Sequence, residues 1–302
     1  MQFPKNTAIK VLSGNKSGHG GDYTWDLPKR RGGKWIPGEW TQSITPIIRH
    51  RGYHLTHRPE CWWEIDNPVA YLTQYRGRKT ATQGTKFAVA SCRLLRPLTV
   101  SELKSFHIYT SGSHKISGVV GRVLVGGKAR VEAHDCTSVY ADDYAEVVIT
   151  GGTHCEAKGH AEIHAFGNTT VDVCEEAYVL AEGNSSVLAS GNSRVGASMT
   201  ARVVGSESTK ILAHGDSVVQ VDEGQVIVEA YENAYVLDTS KGANKTRIHA
   251  GESAVVRCEG SPRILTLSQS AVAVVSKRGK DILVKKGESR WVYQGSFTWG
   301  KK

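Results

Sequence analysis

The sequence predicts a mainly β protein: a small α+β head over residues 1–110, a thin two-sheet β-solenoid over 111–275, and a basic cap over 276–302. Three observations carry that reading. Large residues recur at every eighth position from Val123 to Val219. Small residues sit two places to either side of each, as in Ser185-Ser-Val187-Leu-Ala189. Gly-Asn, Gly-Asp and Gly-His pairs recur between them at the same interval. Alternation at period two turns one side of a strand to a core, and glycine supplies the positive φ of a tight corner. One octad is one strand and one corner, and a run of octads is a solenoid.

The totals fit this class. A hydrophobic fraction of 39% with 32 glycines suits a turn-rich β protein. No apolar run approaches the ~20 residues of a membrane-spanning helix, and residues 1–21 lack the apolar stretch of a secretory signal. No membrane association and a cytoplasmic location are expected. Charge is divided along the chain. Residues 1–110 carry 17 Lys/Arg against 7 Asp/Glu, for +10; residues 111–260 carry 12 against 20, for −8; residues 261–302 carry 9 against 2, for +7. The six cysteines form no CxxC pair, and Cys155 falls on an inward octad position as a small apolar filler.

In the head, residues 18–38 are rich in Gly, Lys and Arg, with Trp25 and Trp35 as anchors, and predict extended loop and short strands. Gly52-Tyr-His-Leu-Thr56 predicts a strand. Glu60 to Gln74, with Trp63, Val69, Tyr71 and Leu72, predicts a helix broken at Pro68. Lys86 to Leu95 alternates as a strand, and Thr99 three residues before Glu102 predicts a capping box opening a short helix.

The order of motifs Trp25-Asp-Leu-Pro28, Pro37-Gly-Glu-Trp40, Gly52-Tyr-His-Leu-Thr56 and Lys86 to Thr99 resembles an uncharacterised domain of phages and actinobacteria that often precedes solenoid repeats. The resemblance covers about the first third of the chain. It implies a phage or prophage setting and carries no mechanism.

The head's chemistry admits two readings. Arg49, Arg51, Arg58, Arg76, Arg78 and Lys79 beside Trp62 and Trp63 compose a basic, aromatic surface suited to single-stranded nucleic acid. The alternative is a nucleotide- or nucleic-acid-modifying enzyme in the head. There His54 on a strand, with Tyr71 or Tyr75 on a following helix, resembles the His-Tyr-Glu arrangement of ADP-ribosyltransferases, with Tyr53 a further candidate, and Glu102 is the weak third member because it sits at a helix start. His50, His54 and His57 cluster with Glu60, Cys61, Glu64 and Asp66, but a strand over 52–56 turns His54 and His57 to opposite faces. No metal and no cofactor are expected.

In the solenoid the first small position runs Ala129, Thr137, Ala145, Thr153, Ala161, Thr169, Ala177, Ser185. Every second octad matches, so the repeat is 16 residues and a coil has two strands; a triangular coil of 24 residues is the alternative. At ~4.8 Å per coil, about nine or ten coils make a rod of about 45 Å. Past Val219 the spacing becomes nine (Val228), eight (Val236) and twelve (Ile248), then eights through Val256, Ile264 and Val272, with a loop at Ser240 to Lys245. The outward row through Glu132 turns apolar at Leu180 and Leu212, and the row through Tyr140 turns apolar at Leu188 and Val204. These four residues are a candidate surface for a partner or a second copy. The acidic cluster of Asp142, Glu146, Glu156 and Asp172 has no cleft in which to hydrolyse a polysaccharide. Ile282-Leu-Val284 and Trp291-Val-Tyr293, among basic residues, are expected to close the last coil. The whole is expected to be a non-enzymatic scaffold that oligomerises through its solenoid and engages a partner through its head, nucleic acid being one candidate.

Overall fold

The structure is a computed structural model and describes residues 3–17, 23–65, 67–240, 246–259, 264–268, 270–277, 280–284, 292–293 and 296–297. The chain divides into two compact units, 1–109 and 110–302.

The first unit is a closed four-stranded barrel. Its strands are β1 (Thr7–Ser13), β4 (Tyr53–Thr56), β6 (Lys86–Pro97) and β5 (Pro68–Lys79), in that order around the barrel and all antiparallel. A short hairpin, β2 (Lys29–Arg31) with β3 (Lys34–Ile36), stands outside it. The core gathers Ala8, Leu12, Tyr53, Leu55, Phe87, Val89 and Leu94. The helix expected over Glu60–Gln74 is not formed. Pro59 opens one 3₁₀ turn, Pro59–Trp62, and Pro68 then begins the twelve-residue β5. Val69, Tyr71, Thr73 and Tyr75 suit a pleated surface, and the barrel closes only if this segment pairs with both β1 and β6. The expected strand at 52–56 and the capping box are present. Helix α1 (Val100–Lys104) starts at Thr99, whose side chain accepts from the Glu102 backbone while Glu102 accepts from that of Thr99. Arg96 grips the same carboxylate at 2.7 Å through two nitrogens, which holds the Glu102 carboxyl down at about 2.

The second unit is a β-solenoid of about ten turns of about 16 residues. Successive strands alternate between two sheets, and each pairs in parallel with the strand sixteen residues on. Val131, Val147, Ile163, Val179, Val195 and Ile211 are stacked in one sheet. Val139, Cys155, Val171, Val187, Val203 and Val219 are stacked in the other. The flanking Ala, Thr and Ser residues are buried, so the sheets lie close. Cys155 is a filler among them, and burial pushes its thiol pKa up.

The register slips once more than the sequence reading allowed. Ile248 stacks on Leu265 and Val256 on Ala273, so Leu265 and Ala273 replace Ile264 and Val272 on the inward face. One inserted residue swaps the two faces of a strand. The parallel stack ends at an antiparallel strand, Lys280–Val284, laid on Val272–Lys277. Trp291, Arg278, Lys285, Lys286 and Arg290 of the expected cap, residues 241–245 of the expected loop, and Asp66 of the histidine-rich cluster lie outside the described residues.

The corners explain much of the acidity. Every eighth residue from 127 to 215 has a positive φ. Along one edge these residues alternate coil by coil: Gly127, Asp143, Gly159, Glu175, Gly191, Glu207. The Gly127, Gly159 and Gly191 N–H groups donate to the carboxylates of Asp143, Glu175 and Glu207 at 2.9, 3.0 and 2.8 Å. An acidic residue accepts left-handed backbone here and its carboxylate satisfies the glycine one coil away. A Cβ on Gly191 would meet the Glu175 backbone nitrogen at 2.7 Å, whereas Gly167 has the same hand of φ and open space. Gly191→Ala is therefore expected to cost about 2–4 kcal/mol and Gly167→Ala only about 1, as read from denaturant midpoints of the two variants.

Candidate functional site

A pocket of about 820 Å³ opens in the head, lined from three directions. Strand β1 contributes Lys10, β4 contributes Tyr53 and His54, and β6 contributes Lys86; Tyr23, Trp25, Trp62 and the turn 49–51 complete it. Lys10, Arg49, Arg51 and Lys86 supply positive charge, and among the described residues no Asp or Glu lines the pocket. Aromatic rings form one wall. Trp25 and Tyr53 meet edge to face with centroids 5.7 Å apart, and Tyr23 packs on both. Lys86 Nζ lies 4.5 Å from the Trp62 ring and Lys10 Nζ 5.1 Å from that of Trp25.

The turn that presents the arginines is built locally. Ile47 and Arg51 exchange backbone hydrogen bonds at 2.6 and 2.8 Å. Arg49 has a φ of 67°, and its N–H donates to His54 Nε2 at 3.1 Å. Burial first, then Lys86 and Lys10, push the His54 pKa down, which keeps Nε2 free of a proton and able to accept. His54 thus holds the Arg49 backbone through this hydrogen bond.

The other predicted residues separate. Tyr53 forms pocket wall, its hydroxyl donating to the Gln42 carbonyl at 3.1 Å. Tyr71 lies on a strand rather than a helix, is buried, and does not line the pocket. Glu102 is committed to Arg96 and Thr99. Arg49, Arg51 and Trp62 reach the pocket. Arg58 is paired with Glu60 at 2.8 Å, and Trp63 is buried. Arg76, Arg78 and Lys79 are exposed at the far part of β5; Arg76 lies 4.1 Å from the Trp40 ring and Lys79 4.7 Å from that of Phe87. Lys10 was not singled out by its sequence. Its signal is the alternation of Ala8, Lys10 and Leu12, which places a lysine on an otherwise apolar face.

On the solenoid, Leu180 and Leu212 belong to one sheet with Gly196 between them, and Leu188 and Val204 to the other. Adjacent octads alternate sheets, so these four residues make two separate patches rather than one band. Leu188 and Leu212 are the exposed members. Among the described residues, no helix is long and apolar enough to cross a membrane and no group of three His, Cys, Asp or Glu is placed to hold a metal ion. In comparisons with known families, curated proteins and solved structures, the chain finds no match.

Proposed function

We propose that the chain is a non-enzymatic interaction protein in which the solenoid is a rigid scaffold and the head binds a phosphate-bearing partner, with single-stranded nucleic acid as the class favoured. The phage setting implied by the head's motifs belongs to the same reading. One observation carries it: Lys10, Arg49, Arg51 and Lys86 converge on an open pocket walled by Tyr23, Trp25, Tyr53 and Trp62, with no carboxylate among the described lining residues. Fixed cations hold phosphates, and aromatic faces accept bases of any sequence.

Fluorescence anisotropy of a labelled single-stranded oligonucleotide against the full chain tests this. The expected log–log slope of affinity against salt is about −2 to −3, and the Arg49→Ala, Arg51→Ala double variant lowers its magnitude by about 1 to 1.5. Trp62→Ala costs about 1–3 kcal/mol of binding. Affinity that is unchanged between low and high salt overturns the proposal.

A further inference from the structure

Strand β1 reads Thr-Ala-Ile-Lys-Val-Leu-Ser. Ala8 and Leu12 are fully buried members of the barrel core, and a period of two sets Lys10 between them on the same face. An ammonium there is costly unless paired. Among the described residues no carboxylate pairs with Lys10. Its amine donates to the His54 carbonyl at 3.4 Å, a long and weak bond, and packs against the Trp25 ring. Lys86 adds a second positive charge nearby.

An amine so placed differs in kind from the other cations of the pocket. Arg49 and Arg51 are permanent charges. Lys10 is the group that can shed its proton and still face the cavity. A neutral amine in a cationic pocket is a nucleophile toward an electrophile that carries negative charge elsewhere.

We propose that Lys10 is a reactive amine that forms an imine with an aldehyde borne on a phosphate-containing ligand. The neutral amine attacks the aldehyde carbon, forming the C–N bond. The carbonyl oxygen then leaves as water with the two amine protons, giving the C=N bond, with no oxidant or reductant required. Arg49, Arg51 and Lys86 hold the phosphate, and the aromatic wall shields the imine from water. The groups facing Lys10 are Lys86 and Cys92 on β6, His54 on β4 and Tyr71, its strand partner on β5. Burial, opposed by Cys92 and reinforced by Lys86, brings the Lys10 amine down to about 8, so about a quarter is neutral at pH 7.5 against about one part in a thousand for an ordinary lysine. Burial holds the Cys92 thiol up at about 12, so it supplies no thiolate to compete for the aldehyde.

The proposal shares the pocket with nucleic-acid binding but does not depend on it. The test incubates the full chain with glyceraldehyde 3-phosphate in one arm and with a single-stranded oligonucleotide containing an abasic site in the other. Both are reduced with borohydride and mapped by peptide mass spectrometry. Lys10 is expected to be labelled at least ten times faster than any other lysine in one arm or both, with a rate that rises to about pH 8 and then flattens, and with protection by inorganic phosphate. The arm that labels identifies the source of the aldehyde. Labelling spread over exposed lysines in both arms, with Lys10 unmodified, overturns the proposal. The wild-type map alone decides, so the Lys10→Arg control is not required to fold. Anisotropy with an intact oligonucleotide reads the binding proposal separately.

Discussion

Replacing Lys10 with methionine is expected to stabilise the head by about 1–2 kcal/mol at neutral pH, and the gain shrinks as the pH rises toward 10. Removing a half-buried charge outweighs the lost His54 carbonyl hydrogen bond and Trp25 contact. The side chains have similar volume, and methionine adapts readily to an apolar face. What is removed is a charge that burial disfavours. The lysine amine titrates at about 8 in the folded chain against 10.5 for an ordinary lysine, and each pH unit between them corresponds to about 1.4 kcal/mol. The sign follows from proton counting. Between 8 and 10.5 the unfolded chain binds more protons than the folded one, so wild-type stability rises with pH across that window. Below it the full penalty is present. The methionine variant lacks this dependence, so the two curves converge at alkaline pH. Tryptophan fluorescence follows the head selectively, since five of the seven tryptophans lie there. A variant that is destabilised equally at pH 7 and pH 10 would mean that Lys10 makes a net favourable contact. Loss of imine chemistry with gain of stability is the usual exchange at a reactive site.

Val187→Asp is expected to cost about 4 kcal/mol or more and to divide the solenoid's unfolding into two transitions. Val187 is 1% exposed and stacked between Val171 and Val203. Its neighbour Leu188 is 54% exposed on the outer face of the same strand, so Leu188→Asp stays within about 0.5 kcal/mol. The difference between adjacent positions is the measurement. In a stack where each coil touches only its neighbours, a broken interface separates the coils on either side. Hydrogen exchange by mass spectrometry is expected to show protection lost first in strands 170–173, 186–189 and 202–207. Uniform loss along the whole stack would show a single cooperative unit instead.

The solenoid was legible in the sequence because its information is local and repeated. Thirteen central residues at one spacing average out any exception, and the alternation of Ala with Thr from Ala129 to Thr169 fixes two strands per coil. Legibility ends where the repeat does: an extra residue before Leu265 turns the strand over. The head is a different case. Apolar residues at 63, 69, 71 and 72 fit a helical spacing, and only pairing with β1 and β6 decides for a strand. His54, Tyr53, Arg49 and Arg51 could be singled out because they are close in sequence. Lys10 and Lys86 could not be joined to them, since the barrel brings them from opposite ends of the domain. The tryptophan pair at 62 and 63 shows the same limit. Adjacent in sequence, one lines the pocket and the other is buried.

Near-identical coils raise a problem of bookkeeping for the folding chain. A coil that loops out leaves every valine facing a valine, so the core alone hardly distinguishes coil n pairing with n+1 from pairing with n+2. The alternating corner does distinguish them. Looping out the coil of Gly159 sets Asp143 beside Glu175, looping out that of Asp143 sets Gly127 beside Gly159, and either loses one of the three glycine–carboxylate hydrogen bonds. Glycine and carboxylate in turn thus act as a parity mark along one edge, by which a sequence of look-alike coils counts itself into a single register.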